Sequence, residues 1–258
     1  TIHYQLPAKH TFVTFKARGG LDNGGTDQGA CGKDVSVQFL VFTKAPINFK
    51  PAAPPLPDDA YFPAEDMIVA EGLEVTLWAK TPELYNPTNM DIDYKGRVWV
   101  AEGRNYRGRR GTPDGDRIVV LEDKDGDGSA ESSHTFVQEK GFQSPLGIAV
   151  IDNRILVSQP PDLIVYTDVN RNAVFDEGTD TREVLLTGFD GKNHDHSLHP
   201  VTVGPSGQYY FNCGNKGGDV TDKEGWNLKA GSFYSMKNIS GHRSSDGQIY
   251  LGGTAMRM

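Results

Sequence analysis

Two acidic loops carry side-chain oxygens at alternate positions, a spacing with which one short loop can surround a cation. In the first loop, carboxylates stand at positions 1, 3, 5 and 9: Asp123, Asp125, Asp127 and Glu131. In the second loop, carboxylates and amides stand at the same positions: Asp168, Asn170, Asn172 and Asp176. Calcium takes about six to eight oxygen ligands, so this spacing predicts Ca²⁺ in each loop. The open alternative is a solvated Asp-rich turn, which the same residues favour.

The flanking sequence distinguishes these loops from an EF-hand. Position 12 of the first loop is His134, where an EF-hand has a bidentate glutamate, and strand patterns rather than helices surround the loop. Ligation entirely by protein groups leaves no open position on the ion for chemistry. We therefore expect any bound calcium to be structural. The two loops begin 45 positions apart, at Asp123 and Asp168, and this spacing indicates a repeat.

Three of the seven histidines lie within residues 193–200, directly before an apolar strand pattern. His196 is a candidate general base, because an imidazole with an ordinary pKa of about 6.5 exchanges protons near neutrality. Asp195 is its neighbour in sequence, although neighbours on a strand point to opposite faces. Two alternatives stay open: a transition-metal site at the pair His194 and His196, or a polar loop without chemistry.

The elements that must position these residues form a repeat. Three segments share a proline, an apolar strand, a turn and a second apolar strand: residues 87–101, 145–158 and 200–211. A further strand pattern follows at 117–121 and at 163–166. Repeats of about 40–50 residues with about four strands are typical of propeller blades. The sequence predicts an all-β fold in which residues 67–258 form an incomplete β-propeller of about three four-stranded blades.

A different organisation is predicted before residue 67. Residues 1–46 contain two strand patterns around a glycine-rich loop, which indicates the end of a β-sandwich. Residues 47–66 hold five prolines and are predicted to be an extended linker. The chain starts at Thr1 without a signal-peptide pattern, and we expect it to be a segment of a longer protein.

Composition excludes some classes of function. The net charge of −8 argues against a nucleic-acid partner that is held by neutralisation of its phosphates. No run of about 18 apolar residues is present, so no transmembrane helix is predicted. The two cysteines cannot form a disulfide framework, and the absence of a Cys-x-x-Cys-His sequence excludes covalent haem from this segment.

His194, Asp195 and His196, followed by the strand–turn–strand of residues 203–211, resemble the soluble quinoprotein glucose/sorbosone dehydrogenases. Those proteins are calcium-containing β-propellers that use pyrroloquinoline quinone (PQQ). The resemblance implies that His196, paired with Asp195, takes the substrate hydroxyl proton while hydride passes to the quinone. It also implies cofactor contacts from Gln143, which is offset by one position from the family's glutamine, and from Arg104, which follows Glu102 after an inserted glycine.

Residues 65–258 resemble still more closely a family of large planctomycete and verrucomicrobial proteins described as membrane-bound dehydrogenases. Residues 1–46 resemble the C-terminal part of the carbohydrate-binding module NPCBM, through residues 15–22 and the strand at 37–41. The resemblance implies a c-type haem domain elsewhere in the full chain. It also implies a periplasmic, cell-surface or secreted location.

Three functions follow as hypotheses. The first is a quinoprotein-type oxidoreductase that oxidises a sugar or another alcohol. The second is a non-catalytic, calcium-stabilised propeller that binds glycans or proteins, with Trp226 in the polar segment 217–231 as a candidate for stacking on a sugar. The third is a calcium-dependent propeller hydrolase, which requires its metal in the central channel rather than in the outer loops.

Overall fold

The computed structural model describes residues 64–106, 112–191, 196–232 and 239–258. All of them belong to the unit of the chain that begins at Asp58. The predicted sandwich fragment, residues 1–46, and nearly all of the linker, residues 47–66, lie outside the described residues. Within the described part, one short 3-10 helix, Ala64–Asp66, accompanies the strands, and no helix there is long and apolar enough to cross a membrane.

The first blade is a four-stranded antiparallel sheet whose strands follow one another in chain order. Its strands are β1 (Pro87–Ile92), β2 (Val98–Glu102), β3 (Arg117–Glu122) and β4 (Ser132–Gln138). Every residue of β2 is buried, as the continuous apolar run of this strand predicts for the middle of a sheet that is covered on both faces. Gly96, with a φ of 81°, makes the turn between β1 and β2.

The second blade repeats this arrangement. Its strands are β5 (Gly147–Ile151), β6 (Arg154–Gln159), β7 (Asp162–Thr167) and β8 (Thr181–Phe189). A two-residue turn joins β5 to β6, with Asp152 at a φ of 55°, in keeping with the preference of such hairpins for Asp and Asn. The strand–turn–strand units predicted at 87–101 and 145–158 are confirmed, as are the third strands at 117–121 and 163–166.

The third repeat departs from a regular blade. Its inner strands, β9 (Leu198–Val203) and β10 (Tyr209–Cys213), pair as predicted. The third strand of their sheet is β14 (Thr254–Arg257). The hairpin of β11 (Gly218–Asp222) and β12 (Asn227–Gly231) joins the outer edge of β8 instead, and the short β13 (Tyr250–Leu251) extends it.

The outer edge of β8 offers main-chain N–H and C=O groups with which the β11–β12 hairpin can pair. A glycine in β8 makes room for the hairpin. Gly188 has a φ of 106°, and a Cβ atom there would lie 2.0 Å from the carbonyl oxygen of Asp219. A side chain at position 188 would therefore prevent the pairing. In the part of the chain that the structure describes, the outcome is an all-β, partial propeller: two four-stranded blades, the second extended by β11, β12 and β13, and a three-stranded antiparallel sheet of β9, β10 and β14.

Apolar layers lie between successive sheets. One core joins the first blade to the second through edge-to-face aromatic rings, with Phe136 and Tyr166 at a centroid distance of 5.9 Å and Phe136 and Phe175 at 6.4 Å. A second core packs the second blade against the third sheet, where Phe189 lies edge-to-face with Phe211. Stacking of sheets about common inner strands is the packing of a propeller.

The inner strands β1, β5 and β9 run in the same direction. Asn89 Oδ1 accepts a hydrogen bond from Ile148 N (3.1 Å), and Asp91 Oδ2 accepts one from Val150 N (2.7 Å). The bonded residues follow the same order in both strands, so β1 and β5 run parallel. The start of β5 at Gly147 lies against the main chain of β9 at Pro200. We call the end where these three strands begin the upper edge, and the opposite end the lower edge.

Candidate functional site

The first acidic loop, residues 123–131, joins β3 to β4 at the lower edge. One carboxylate oxygen from each of its four predicted residues lies within 4.8 Å of the other three; the residues are Asp123, Asp125, Asp127 and Glu131. Four carboxylates at this separation repel one another unless a cation lies between them. Within the part of the chain that the structure describes, this is the one group of three or more His, Cys, Asp or Glu side chains that converges in this way.

Main-chain hydrogen bonds set the shape of the first loop. Asp123 accepts from the amide N–H groups of Gly126 (2.6 Å) and Gly128 (3.0 Å). Each of these glycines has a positive φ, which lets the chain turn within a few residues. Asp125 accepts from Asp127 N at 3.1 Å. The bonds curl the loop so that carboxylates distant in sequence face one point.

The second loop, residues 168–176, joins β7 to β8 at the lower edge and has the same main-chain pattern. Asp168 accepts from the amide of Ala173, the sixth loop position, at 2.8 Å; in the first loop Gly128 holds that position. Arg171 and Ala173 both have a φ of 61°, at the positions that glycine occupies in the first loop. The two loops are therefore structural repeats of one another.

The polar side chains of the second loop form hydrogen bonds with one another. Asp176 Oδ2 accepts from the amide groups of Asn170 (2.8 Å) and Asn172 (2.7 Å), and these bonds lower the pKa of Asp176. The amide oxygens of both asparagines accept main-chain N–H groups. Donors to Asp176 thus stand where a cation would otherwise compensate its charge. The four carboxylates of the first loop converge as ligands of a calcium ion would, whereas Asp176 of the second loop accepts hydrogen bonds from the two asparagines.

Asp180 completes the second loop, and the sequence pattern missed it because the repeat ends at position 9. It is 8% exposed and accepts from Val169 N and Asp176 N, both at 2.8 Å. A long turn leaves main-chain N–H groups that need acceptors, and this requirement could have pointed to an acidic residue such as Asp180 at the end of the turn.

His196 lies at the upper edge, two residues before β9. Its Nδ1 is in hydrogen-bond contact with Oδ1 of Asn215, in the connection that follows β10. Its carbonyl oxygen accepts from Lys216 N at 2.9 Å. A Cβ atom at Gly214 would lie 2.7 Å from that oxygen, so glycine permits this close approach. The end of β10 therefore holds His196 through both its ring and its main chain.

Asn215 determines which ring nitrogen of His196 carries the proton. An amide oxygen is only an acceptor, so Nδ1 must donate, and Nε2 is then the proton-accepting nitrogen. Sequence analysis missed Asn215. The register of the β9–β10 hairpin, with Cys213 opposite Leu198, is the signal that could have placed it beside His196. Asp195, the predicted partner of His196, lies outside the described residues, as does His194.

Arg104 follows β2 at the upper edge. Its guanidinium lies over the ring of Tyr85, with 4.2 Å from Cζ to the ring centroid. Close beside it, Glu102 is fully buried and accepts two hydrogen bonds from Arg117, at 2.7 and 3.0 Å. Tyr85 N also donates to Glu102 (2.8 Å). A buried ion pair and a stacked ring thus fix a planar cation at this edge.

Gln143 lies at the upper edge in the connection from β4 to β5. Its main-chain N–H donates to Oε1 of Gln159 at 3.0 Å, at the end of β6. Gln159 Nε2 in turn donates to the carbonyl of Pro160 at 2.9 Å. Gln143 is half-buried, and the hydrogen bond that fixes its position comes from its main chain and not from its side-chain amide.

The predicted residues therefore fall into two groups at opposite ends of the fold. Arg104, Gln143 and His196 lie at the upper edge, in connections next to β1, β5 and β9. The two acidic loops lie at the lower edge. Cofactor and base candidates share one end, as an active site requires, while the metal candidates lie at the other end.

The family model described as "Domain of unknown function (DUF7133)" matches residues 63–248. This is most of the chain, and the chain belongs to this family. No curated protein matches the chain.

Solved structures with a similar course of the chain include two fungal ones. The calcium structure of Trichoderma reesei Carbohydrate-Active Enzymes Family AA12 is 16% identical, with a TM-score of 0.43, over 61% of this chain and 40% of that one. The holo form of the pyranose dehydrogenase PQQ domain from Coprinopsis cinerea is 18% identical, with a TM-score of 0.39, over 59% of this chain and 37% of that one. The chain thus spans about two-fifths of the length of these structures.

Proposed function

We propose that this member of the DUF7133 family is part of a quinoprotein-type dehydrogenase that oxidises a sugar or another alcohol, with His196 as the general base. The observation that carries the proposal is the contact between Nδ1 of His196 and Oδ1 of Asn215. A base that is oriented by a second side chain is the arrangement that proton abstraction requires.

The chemistry assigned to His196 is simple. Its Nε2 accepts the hydroxyl proton of the alcohol as the carbon–hydrogen bond breaks, and the alcohol carbon becomes a carbonyl carbon. Bound PQQ would supply the hydride acceptor. Asn215 keeps the ring in one tautomer and one orientation throughout, so the base needs no rearrangement before it accepts the proton.

The upper edge offers groups that suit PQQ, a planar molecule with several carboxylates. Arg104 presents a guanidinium that can bind a carboxylate through two parallel hydrogen bonds, and Tyr85 fixes its plane. Gln143 offers an amide in the neighbouring connection. Electrons would leave through a c-type haem domain elsewhere in the full chain, and the protein would act in the periplasm, at the cell surface or after secretion.

Calcium has a separate role in this proposal. The first acidic loop binds Ca²⁺ through Asp123, Asp125, Asp127 and Glu131. Because this loop lies at the lower edge, away from His196, the ion stabilises the first blade and takes no part in the reaction.

One observation favours a second candidate function, the binding of glycans. Trp226 is 45% exposed and lines a cavity of about 310 Å³ between β14 and the hairpin of β11 and β12. Asp222, which accepts from Trp226 N at 2.8 Å, adds a carboxylate to the same cavity. An exposed indole beside a carboxylate suits a sugar ring, which presents one apolar face and several hydroxyl groups.

Titration of the full-length, calcium-loaded protein with PQQ, followed by calorimetry, tests the first function. We expect saturable binding, and oxidation of at least one sugar in a screen with an artificial electron acceptor. Absence of binding, together with a tryptophan fluorescence change on adding oligosaccharides that Trp226→Ala removes, would establish the second function in its place.

A further inference from the structure

We propose that Asp116 is a positioning residue that joins the connection carrying Arg104 to the connection carrying Gln143. The inference deepens the proposed function of the upper edge and rests on it. Asp116 immediately precedes β3, and nothing in the local sequence marks it as more than the end of a turn.

A single carboxylate reaches both connections. Asp116 is 1% exposed. Its Oδ1 accepts from Asn105 N at 3.0 Å, and its Oδ2 accepts from Ser144 N at 2.6 Å. Asn105 directly follows Arg104, and Ser144 directly follows Gln143. The carboxylate therefore fixes the main chain beside each of the two predicted cofactor residues, in two successive blades.

The two connections also touch directly, and one of them has a strained backbone. Ser144 has a φ of 60°, which a residue with a Cβ atom rarely adopts. A Cβ atom at Gly103 would lie 2.7 Å from Oγ of Ser144. The hydrogen bond from Ser144 N to Asp116 holds this conformation, and its loss would let the chain at Ser144 relax and carry Gln143 with it.

The charge of Asp116 suits this role. Burial raises its pKa, while main-chain hydrogen bonds from Ser144, Asn105 and Arg104 oppose that rise. The neighbouring Arg117 is bound to Glu102. The negative charge of Asp116 is thus stabilised by main-chain N–H groups of the two connections. The same hydrogen bonds fix the conformation of those connections.

Asp116→Asn tests the proposal, because an amide has one accepting oxygen and replaces the other with a donor. One connection would then face an N–H group, and the other would bond to a neutral amide oxygen in place of a carboxylate, so the hydrogen bonds to both connections weaken. We expect faster hydrogen exchange in residues 103–106 and in residues 143–146 together. We also expect PQQ to bind about tenfold more weakly.

Asp93→Asn is the matched control. Asp93 is also buried, in the same blade but at the lower edge, and it accepts from Lys95 N, Arg97 N and Trp99 Nε1 at 2.9 to 3.0 Å. This variant should lose stability as well, yet leave exchange in both upper segments and the affinity for PQQ unchanged. A merely structural role of Asp116 predicts that both variants lose stability and that neither changes the affinity for PQQ.

Three outcomes would overturn the inference: acceleration of only one segment in Asp116→Asn, the same upper-edge changes in Asp93→Asn, or unchanged PQQ affinity in a wild type that binds it. If the wild type binds no PQQ, the proposed function fails, and the exchange result alone decides whether Asp116 joins the two connections. If Asp116→Asn does not fold, Asp116→Glu keeps both acceptors and moves them by one methylene, and smaller changes in the same two segments are expected.

Discussion

Asn215 holds the imidazole of His196 across the β9–β10 hairpin, from 19 residues further along the chain. The contact joins the residue that precedes one inner strand to the residue that follows its partner strand. Because the register of the β9–β10 hairpin brings the two residues together, the contact with Asn215 links the orientation of His196 to the fold of this hairpin. The upper edge thereby gains a histidine with a defined tautomer.

His196→Ala should abolish oxidation of the substrate, because it removes the proton acceptor. General-base catalysis contributes about 10² to 10⁴ in rate, so a fall of at least that order is expected. The measurement is steady-state turnover with an artificial electron acceptor, together with the unfolding temperature. His242→Ala, which changes another exposed histidine, is the control and should retain full activity. Activity retained in His196→Ala would remove the residue as the base.

Asn215→Leu should lower kcat while leaving most of the binding of PQQ, because the ring of His196 would lose its fixed tautomer. A loss of about a hundredfold is the scale on which an oriented base contributes. Asn215→Asp keeps an acceptor opposite Nδ1 and should restore most of the activity. If both variants are equally inactive, or both are fully active, the hydrogen bond does not orient the base.

Much of the fold could be predicted because it depends on local patterns. Apolar runs of about five residues, separated by Gly96 and by the Asp152–Asn153 turn, predict antiparallel hairpins, and two of the three repeats form complete blades. The position of the β11–β12 hairpin could not be predicted. It depends on a distant edge, that of β8, and on the close approach at Gly188, neither of which has a local signature.

The candidate site could be predicted only in part, for a similar reason. Alternating carboxylates are visible in a sequence, and in the structure the four of the first loop converge. The second loop has the same spacing, but whether an asparagine amide faces an ion or Asp176 is decided by side-chain orientation. Asn215 and Asp116 act across a hairpin and between blades, where only the three-dimensional register brings groups together.

Calcium removal should lower the unfolding temperature through the first loop alone. Binding to the native state stabilises it by about 2.7 kcal/mol at a free calcium concentration of about 100 times Kd. Asp125→Asn should remove most of this stabilisation, since it takes a charge from the converging set. Asp176→Asn, the same substitution in the second loop, should leave it intact. Thermal unfolding with calcium and with a chelator provides the comparison, and equal loss in both variants would show that the second loop binds calcium too.

Asp93 should make the fold sensitive to acid. Its burial opposes ionisation, but hydrogen bonds from Trp99 and Arg97 outweigh that effect and hold the pKa of Asp93 below its usual 3.8. A carboxyl group with a lowered pKa in the native state contributes stability above its unfolded-state pKa and loses that contribution as the pH falls through the native-state value.

Asp93→Asn should therefore cost about 2 kcal/mol of unfolding free energy at pH 7, the scale of hydrogen bonds to a charged group. Below pH 3.8 the difference from the wild type should begin to shrink, because the carboxyl group of the unfolded chain is then protonated, and it should be smallest once the pH lies below the lower native-state pKa. Urea unfolding of both proteins at several pH values measures this difference directly. Asp91→Asn is a suitable comparison, since Asp91 bonds to Val150 N from an inner strand and so reports on a carboxylate that joins two blades. A difference for Asp93→Asn that stays constant from pH 7 to pH 3 would mean that the charge of Asp93 contributes nothing to the fold.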